Sequence, residues 1–273
     1  MTTPTRIAAT FASLKEAGHL AFMPFITAGD PDLATTANLI QELGRQSVDL
    51  IEVGFPYSDP IADGPVIQAS YTRALESGIK VDGIFETIDS LATDDLPPLV
   101  AMVSYGIVFR RGVEVFVDRA KAAGFSGFII PDLPADEAAD VGTIIRGRGL
   151  DLIQLISPVT PQDRALKILE SASGFVYCIS VAGTTGVRDS LPTELTEQLN
   201  WLRSQTDVPL AVGFGISQPE QVEVLRDVAD GVIVGSAIVR QVEAISAGDA
   251  SAEAAVAGIG EYAGTMVAAT HQS

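Results

Sequence analysis

The sequence predicts an α/β fold, a single (β/α)8 barrel, and three observations carry that expectation. Short apolar runs recur along the chain, each closed by a turn signal. Stretches with helical periodicity lie between them. There are eight such runs, their starts mostly 22–34 residues apart. The runs are continuous rather than alternating, as strands covered on both faces require, which points to a parallel sheet. An open doubly wound sheet also alternates strand and helix; eight units favour closure into a barrel. No low-complexity linker divides the chain, so residues 1–273 read as one domain.

Taken in order, the segment MTTPTRIAATFASLKEAGHL reads as an amphipathic helix added before the first strand, not as a leader peptide, because it lacks a long apolar core. The first strand is expected in LAFMPFITAG (20–29), followed by a helix in PDLATTANLIQELGRQS. The second lies in DLIEVGF (49–55). About fifty residues separate the starts of the second and third strands, room for two helices (66–77 and 82–92), one more than the repeat needs. The third run is LVAMVSYG (99–106), then a helix in VEVFVDRAKAAG; the fourth is GFIIPDL (127–133), then DEAADVGTIIRGRG. DLIQLISP (151–158) precedes the helix PQDRALKILESAS. FVYCISVAG (175–183), PLAVGFG (209–215) with QPEQVEVLRDVA behind it, and GVIVGSA (231–237) complete the eight. Several helical stretches open on Pro, Asp or Ser and close at or near Gly, as caps do.

Composition removes several function classes. A net charge of −18 opposes binding to nucleic acid or to acidic membrane surfaces. No stretch approaches the roughly 18 uncharged apolar residues of a membrane span. The one cysteine, Cys178, sits inside an apolar run, so a disulfide framework is impossible and a reducing, cytoplasmic setting is expected.

In a barrel of this kind the chemistry lies where strands end and loops to the following helices begin. Those ends hold Thr27, Asp30, Glu52, Asp59, Asp63, Tyr105, Asp132, Ser157, Tyr177, Thr185, Phe214 and Ser236. The histidines, His19 and His271, lie before the first strand and in the C-terminal tail. A histidine metal site or histidine base at the mouth is therefore not expected. The four lysines, Lys15, Lys80, Lys121 and Lys167, all fall in helical stretches, leaving no Schiff-base candidate. Carboxylates, hydroxyls and backbone groups remain, and they imply acid–base chemistry.

Glu52 is the sharpest residue. Alternation puts Leu50, Glu52 and Gly54 on one face of the second strand and Ile51, Val53 and Phe55 on the other. A carboxylate in the helix-facing layer would be unpaired among apolar groups, which is costly. At the mouth it can meet a substrate, with a pKa raised by partial desolvation. The plain alternative is a buried Glu paired with an Arg. Asp63 is weaker, because Asp before Gly is ordinary turn chemistry; Asp30 and Asp59 could simply cap helices. GFGIS (213–217) and GSA (235–237) follow the last two strands, where glycines let backbone N–H groups and a helix N-terminus approach a phosphate. GTTG (183–186) offers a third glycine loop, long enough to serve as a lid.

The stretches PFITAGDPD, LIEVGFPYSDPIADGPVIQ, GFIIPDLP, YCIS…GTTG, GFGIS and VIVGSAIV, in order over residues 24–240, resemble the tryptophan synthase α subunit family. The resemblance implies retro-aldol cleavage of indole-3-glycerol phosphate to indole and glyceraldehyde 3-phosphate, without metal or Schiff base. It further implies Glu52 as the acid–base group and Asp63 as the acceptor of the indole N–H. Tyr177 would line the site and Thr185 would order the lid against Asp63. Gly186, Gly215, Gly235 and Ser236 would contact phosphate, and Phe25, Ile67, Met102 and Phe214 would surround the indole ring.

The resemblance also implies a partner, a β subunit carrying pyridoxal phosphate in a two-α, two-β assembly, with no cofactor in this chain. Pro56, Tyr57, Ser58 and Asp59, at the start of the segment that runs to Asp63, would face that partner. Two departures from the family pattern stand out, Gly106 where the family usually has Asn, and a lid with Val181 and Thr184 where many relatives have Arg and Val. The first bears on coupling to the partner rather than on catalysis; the second bears on lid dynamics or communication with β, with Thr185 retained. The alternative reading is a non-catalytic barrel that binds a phosphate ligand and only activates a partner; intact Glu52, Asp63 and Thr185 oppose it.

Overall fold

The computed structural model of the chain describes residues 4–60, 63–91, 95–179, 193–213 and 215–272. Eight strands form a closed barrel in sequence order: β1 (Ala21–Thr27), β2 (Ile51–Gly54), β3 (Leu99–Met102), β4 (Phe125–Ile129), β5 (Asp151–Ile156), β6 (Val176–Ile179), β7 (Leu210–Gly213) and β8 (Gly231–Val234). Every neighbouring pair is parallel, and β1 pairs with both β2 and β8 to complete the ring.

The helices are α1 (Arg6–Ala17), α2 (Leu33–Arg45), α3 (Pro65–Glu76), α4 (Val81–Ser90), α5 (Tyr105–Arg111), α6 (Val113–Ala123) and α7 (Ala135–Gly147). They continue with α8 (Gln162–Ser171), α9 (Thr193–Arg203), α10 (Glu220–Glu223), α11 (Ser236–Ala247) and α12 (Ala252–Thr270). Among the described residues no helix is long and apolar enough to cross a membrane.

Two apolar layers hold the barrel. The outer one joins the helices to Ile51, Val53, Phe55 and their counterparts on the other strands. The inner one is built from Met23, Leu50, Val100, Ile129, Ile153, Tyr177, Ala211 and Ile233 inside the ring. Helix α1 closes the floor of that interior. Thr5 caps it by accepting from the Ala8 N–H, Gly18 ends it in the left-handed region at φ 72°, and Ile7, Phe11 and Leu14 join the inner layer. Burying those side chains contributes about 1.5–3 kcal/mol each before entropy is counted.

The floor is fastened from the other end of the chain as well. The Leu20 N–H donates to the Thr270 carbonyl, and the rings of His19 and His271 stack at 4.7 Å. His271 Nε2 lies 3.1 Å from Asp49 Oδ2, and that carboxylate also accepts from the Phe22 N–H.

The extra N-terminal helix and the additional helix after the second strand are present, as α1 and the α3–α4 pair. The strands end two or more residues before most of the apolar runs do, and three differences from the sequence reading matter most. The third apolar run was expected to continue to residue 106, but the strand ends at Met102. Ser104 accepts from the Gly106 N–H and starts α5 instead. The fourth strand begins two residues early and stops at Ile129. The helical pattern over 218–229 yields only the single turn α10 followed by turns.

Candidate active site

The interior face of β2 settles the orientation of Glu52. Leu50 belongs to the inner layer while Ile51, Val53 and Phe55 belong to the outer one, so Glu52 and Gly54 point into the barrel. Glu52 stands in register with Phe25 on β1 and Val100 on β3 and is 1% exposed. Burial pushes its carboxyl up to about 8, with the charge of Asp63 adding to the shift. Its Oε1 has no hydrogen-bond partner among the described residues. The pairing with an arginine does not occur among them either. Arg73, on α3, is engaged by Asp30, Nε to Oδ1 at 3.0 Å and Nη2 to Oδ2 at 2.7 Å. Asp30 thus anchors α3, whereas the cap of α2 is Asp32, which accepts from the Thr35 N–H.

Asp63 immediately precedes Gly64, the N-cap of α3, with Pro65 at the first helical position. Its backbone makes the turn. The Asp63 N–H donates to the Pro60 carbonyl, and Gln68 Nε2 donates to the Asp63 carbonyl at 2.7 Å. The carboxylate takes no part in capping, and its buried Oδ2 has no partner among the described residues. Turn chemistry therefore explains the main chain of Asp63 and not its side chain. Burial raises this carboxyl to about 6, and the Tyr57 hydroxyl holds the rise back.

Phe25, Ile67 and half-buried Met102 gather in one apolar cluster beside these carboxylates, together with Tyr71, Tyr57, Val66 and Val239. Tyr177 is buried across the interior on β6. Burial, then the charges of Glu52 and Asp63, raise its pKa, so it stays a neutral phenol. A Cβ added at Gly213 would collide with the Tyr177 ring, so the glycine that ends β7 makes room for it. Beyond β7, Gly215 is exposed at φ 83° with open space around it; the left-handed conformation is what asks for glycine there. Half-buried Gly235 is the N-cap of the twelve-residue α11, whose first residue is exposed Ser236. No side chain caps that helix, so its first N–H groups face outward at the mouth.

The arm between β2 and α3 begins with buried Pro56. The half-buried Tyr57 ring packs 5.5 Å from that of Tyr71, and Ser58 and Asp59 are exposed and joined by a 2.7 Å hydrogen bond. Asp59 therefore caps no helix. Gly106 is exposed on α5, and a Cβ there would meet Ser104 Oγ at an ordinary 3.5 Å, so the backbone does not demand glycine. Thr185, Gly186, Val181 and Thr184 of the lid, and Phe214, lie outside the described residues. Cys178 is buried with its thiol pushed up to about 12 by burial, a core residue. Among the described residues no group of three or more His, Cys, Asp or Glu could hold a metal ion.

Two residues of the mouth carry no role in the sequence reading, Asp132, which stands there only as a strand end, and Tyr71. Asp132 fixes the start of α5 by accepting from Ser104 Oγ and the Tyr105 N–H, both at 2.7 Å. Tyr71 is fully buried, and its hydroxyl is a third polar atom, after those of Glu52 and Asp63, without a partner among the described residues. Its signal was available. Ile67, Ser70, Tyr71 and Ala74 share the buried face of α3 at helical spacing, and the family resemblance implies Ile67 in the pocket. Each buried polar group left unpaired costs about 1–3 kcal/mol. Three of them in one pocket mark a place built to receive a ligand rather than a core.

A closed (β/α)8 barrel whose C-terminal mouth holds two carboxylates with raised pKa values, each with one buried oxygen unpartnered among the described residues, defines an enzyme equipped for proton transfer. Comparison with known proteins makes the class particular. The sequence model of the family described as "Tryptophan synthase alpha chain" matches residues 11–271. Curated proteins of that name are 49% identical over 241 residues in Rhodopirellula baltica (87% of each chain) and 47% identical over 236 residues in a Synechocystis species (86% of this chain, 89% of the other). A crystal structure of the tryptophan synthase alpha chain from Legionella pneumophila superposes with a TM-score of 0.85 at 33% identity, covering 98% of both chains. The ligand-free tryptophan synthase of M. tuberculosis gives 0.86 at 28%, covering 98% of this chain and all of that one. The chain belongs to the tryptophan synthase alpha chain family. Its activity is that of a carbon–carbon lyase, which cleaves indole-3-glycerol phosphate to indole and glyceraldehyde 3-phosphate.

Proposed function

We propose that Glu52 and Asp63 perform this cleavage as a divided acid–base pair, and that the chain brings no metal, Schiff base or cofactor of its own to it. The observation that carries the reading is the separation of their pKa values, about 8 and about 6: burial raises both, the charge of Asp63 raises Glu52 further, and the Tyr57 hydroxyl holds Asp63 back. Near pH 7, Glu52 is protonated and Asp63 is ionised. Glu52 gives its proton to indole C3, and the positive charge that develops on the ring nitrogen is stabilised by Asp63, which accepts the N–H. Glu52, now a carboxylate, removes the proton of the hydroxyl on the carbon attached to C3. The bond between that carbon and C3 breaks, its electron pair returns to the ring as indole, and the carbon becomes the aldehyde of glyceraldehyde 3-phosphate. Glu52 ends protonated, ready for another cycle.

Phe25, Ile67, Met102 and Phe214 enclose the indole ring, and Tyr177 limits the pocket opposite β2. Gly186, Gly215, Gly235 and Ser236 hold the phosphate through backbone N–H groups, which suits a chain whose net charge is −18. Thr185 orders the lid against Asp63. Residues 1–273 act as one barrel domain in the cytoplasm. The partner is the β subunit, which carries pyridoxal phosphate, in a two-α, two-β assembly, with Pro56, Tyr57, Ser58 and Asp59 toward it.

The test is release of indole from indole-3-glycerol phosphate by the purified chain, with and without β subunit. Slow release alone and faster release with β are expected. No release in either condition, with substrate still bound, would establish the non-catalytic reading.

A further inference from the structure

We infer that the Tyr71 hydroxyl holds the one substrate hydroxyl that does not react, on the middle carbon of the glycerol chain. The inference rests on the function proposed above. Beside β2, three buried polar atoms lack a partner among the described residues; that mechanism uses Glu52 Oε1 and Asp63 Oδ2 and leaves the Tyr71 hydroxyl unassigned. Indole-3-glycerol phosphate presents four polar features, the ring N–H, the reacting hydroxyl, the middle hydroxyl and the phosphate. Asp63, Glu52 and the glycine turns take three of them.

The position of Tyr71 matches the fourth. Its hydroxyl lies over Gly54, where an added Cβ would come within 2.8 Å of it and within 2.5 Å of Phe25 Cζ. Gly54 is on the same interior face as Glu52, two residues nearer the mouth, so the phenol sits just above the carboxyl. On its other side, the Tyr71 ring belongs to the cluster containing Phe25, Ile67 and Val239, the last in the first turns of α11. A Cβ at Gly235, the N-cap of that helix, would stand 3.6 Å from both Phe25 and Ile67. Tyr71 therefore lies on the wall between Glu52 and the phosphate end, as the middle carbon lies between the reacting carbon and the phosphate. Buried beside Asp63, Tyr57 and Glu52, it has its pKa raised and remains a proton donor.

The experiment compares the full-length chain with Tyr71→Phe, β subunit added, on two compounds. One is indole-3-glycerol phosphate; the other is the analogue with hydrogen in place of the middle hydroxyl. Glyceraldehyde 3-phosphate or its deoxy counterpart is followed. Tyr71→Phe should lower kcat/KM on the intact substrate about five- to tenfold, the effect of one neutral hydrogen bond. It should be indistinguishable from wild type on the deoxy compound. The melting temperature of the variant should be unchanged or higher, because the ring is kept and an unpaired buried hydroxyl is removed. An equal loss on both compounds would show that the hydroxyl serves packing, and no loss on the intact one would show that it serves nothing in turnover; either overturns the inference. Wild-type protein that fails to cleave the intact substrate would instead defeat the functional reading, and the inference with it.

Discussion

At the scale of the residue, the cost of holding Glu52 and Asp63 in place should be visible in both activity and stability. A pair with pKa values near 8 and 6 predicts a bell-shaped kcat/KM. Activity should fall below pH 6 as Asp63 takes a proton and fall above pH 8 as Glu52 loses one. Asp63→Asn should lower kcat steeply and abolish the acid limb. Glu52→Gln should reduce turnover by about 100-fold or more while substrate binding stays measurable; a variant keeping most of its activity would remove Glu52 from the mechanism. The same residue links stability to pH. Its folded pKa lies above its ordinary 4.5, so between those values the folded state binds more protons than the unfolded chain. Stability is therefore lost as pH rises from about 4.5 to 8. Thermal unfolding of Glu52→Gln across that range should show a flatter pH dependence and a higher melting temperature than wild type at pH 8.

At the scale of the element, α3 carries more of the site than its sequence advertises. Its N-terminal end presents Asp63, its buried face presents Ile67 and Tyr71, and Ser70 bonds to Thr27 at 2.7 Å. One turn further, Arg73 ties the helix to Asp30, which is 1% exposed, and reaches Glu243 on α11 at 3.3 Å. Removing one member of a buried pair strands the other charge. Arg73→Met should therefore cost about 3 kcal/mol in denaturant unfolding, and Asp30→Asn added to it should cost less than the sum of the two.

Glu52 was legible in the sequence because a period of two fixes which face a strand residue takes, and a lone carboxylate in an apolar run is conspicuous. Asp63 became legible only through the family resemblance, since Asp-Gly is common in turns. Tyr71 was not read at all, because an aromatic at helical spacing has the signature of ordinary core. Only the absence of a partner for its hydroxyl among the described residues separates the two, and partners are a property of three dimensions. The early end of β3 escaped for a similar reason. Val103 and Ser104 continue a strand-like run, and the hydrogen bonds of Ser104 and Asp132 that turn it into α5 join residues 28 apart in sequence.

At the scale of the whole molecule, the barrel separates its working end from its fastened end. The alternation of eight apolar runs was enough to foresee closure. The floor was hidden, because the stacking of His19 on His271 joins opposite ends of the chain. His271 has its pKa raised above the usual 6.5 by the hydrogen bond to Asp49. Its stabilising contribution is thus complete below pH 6.5 and disappears as pH rises through the raised value. His271→Gln should lower the melting temperature at pH 6 and change it little at pH 9; the reverse pattern would mean that the neutral ring does the fastening.

That floor also decides how the molecule can be handled. Residue 271 ends its helix against the first residues of β1 and β2, on the side of the ring opposite Glu52 and Asp63. A tether grafted after residue 272 would leave from the underside. On a sensor surface or fused to another protein, every copy would then stand with its mouth outward, open to substrate and to a β subunit arriving from solution.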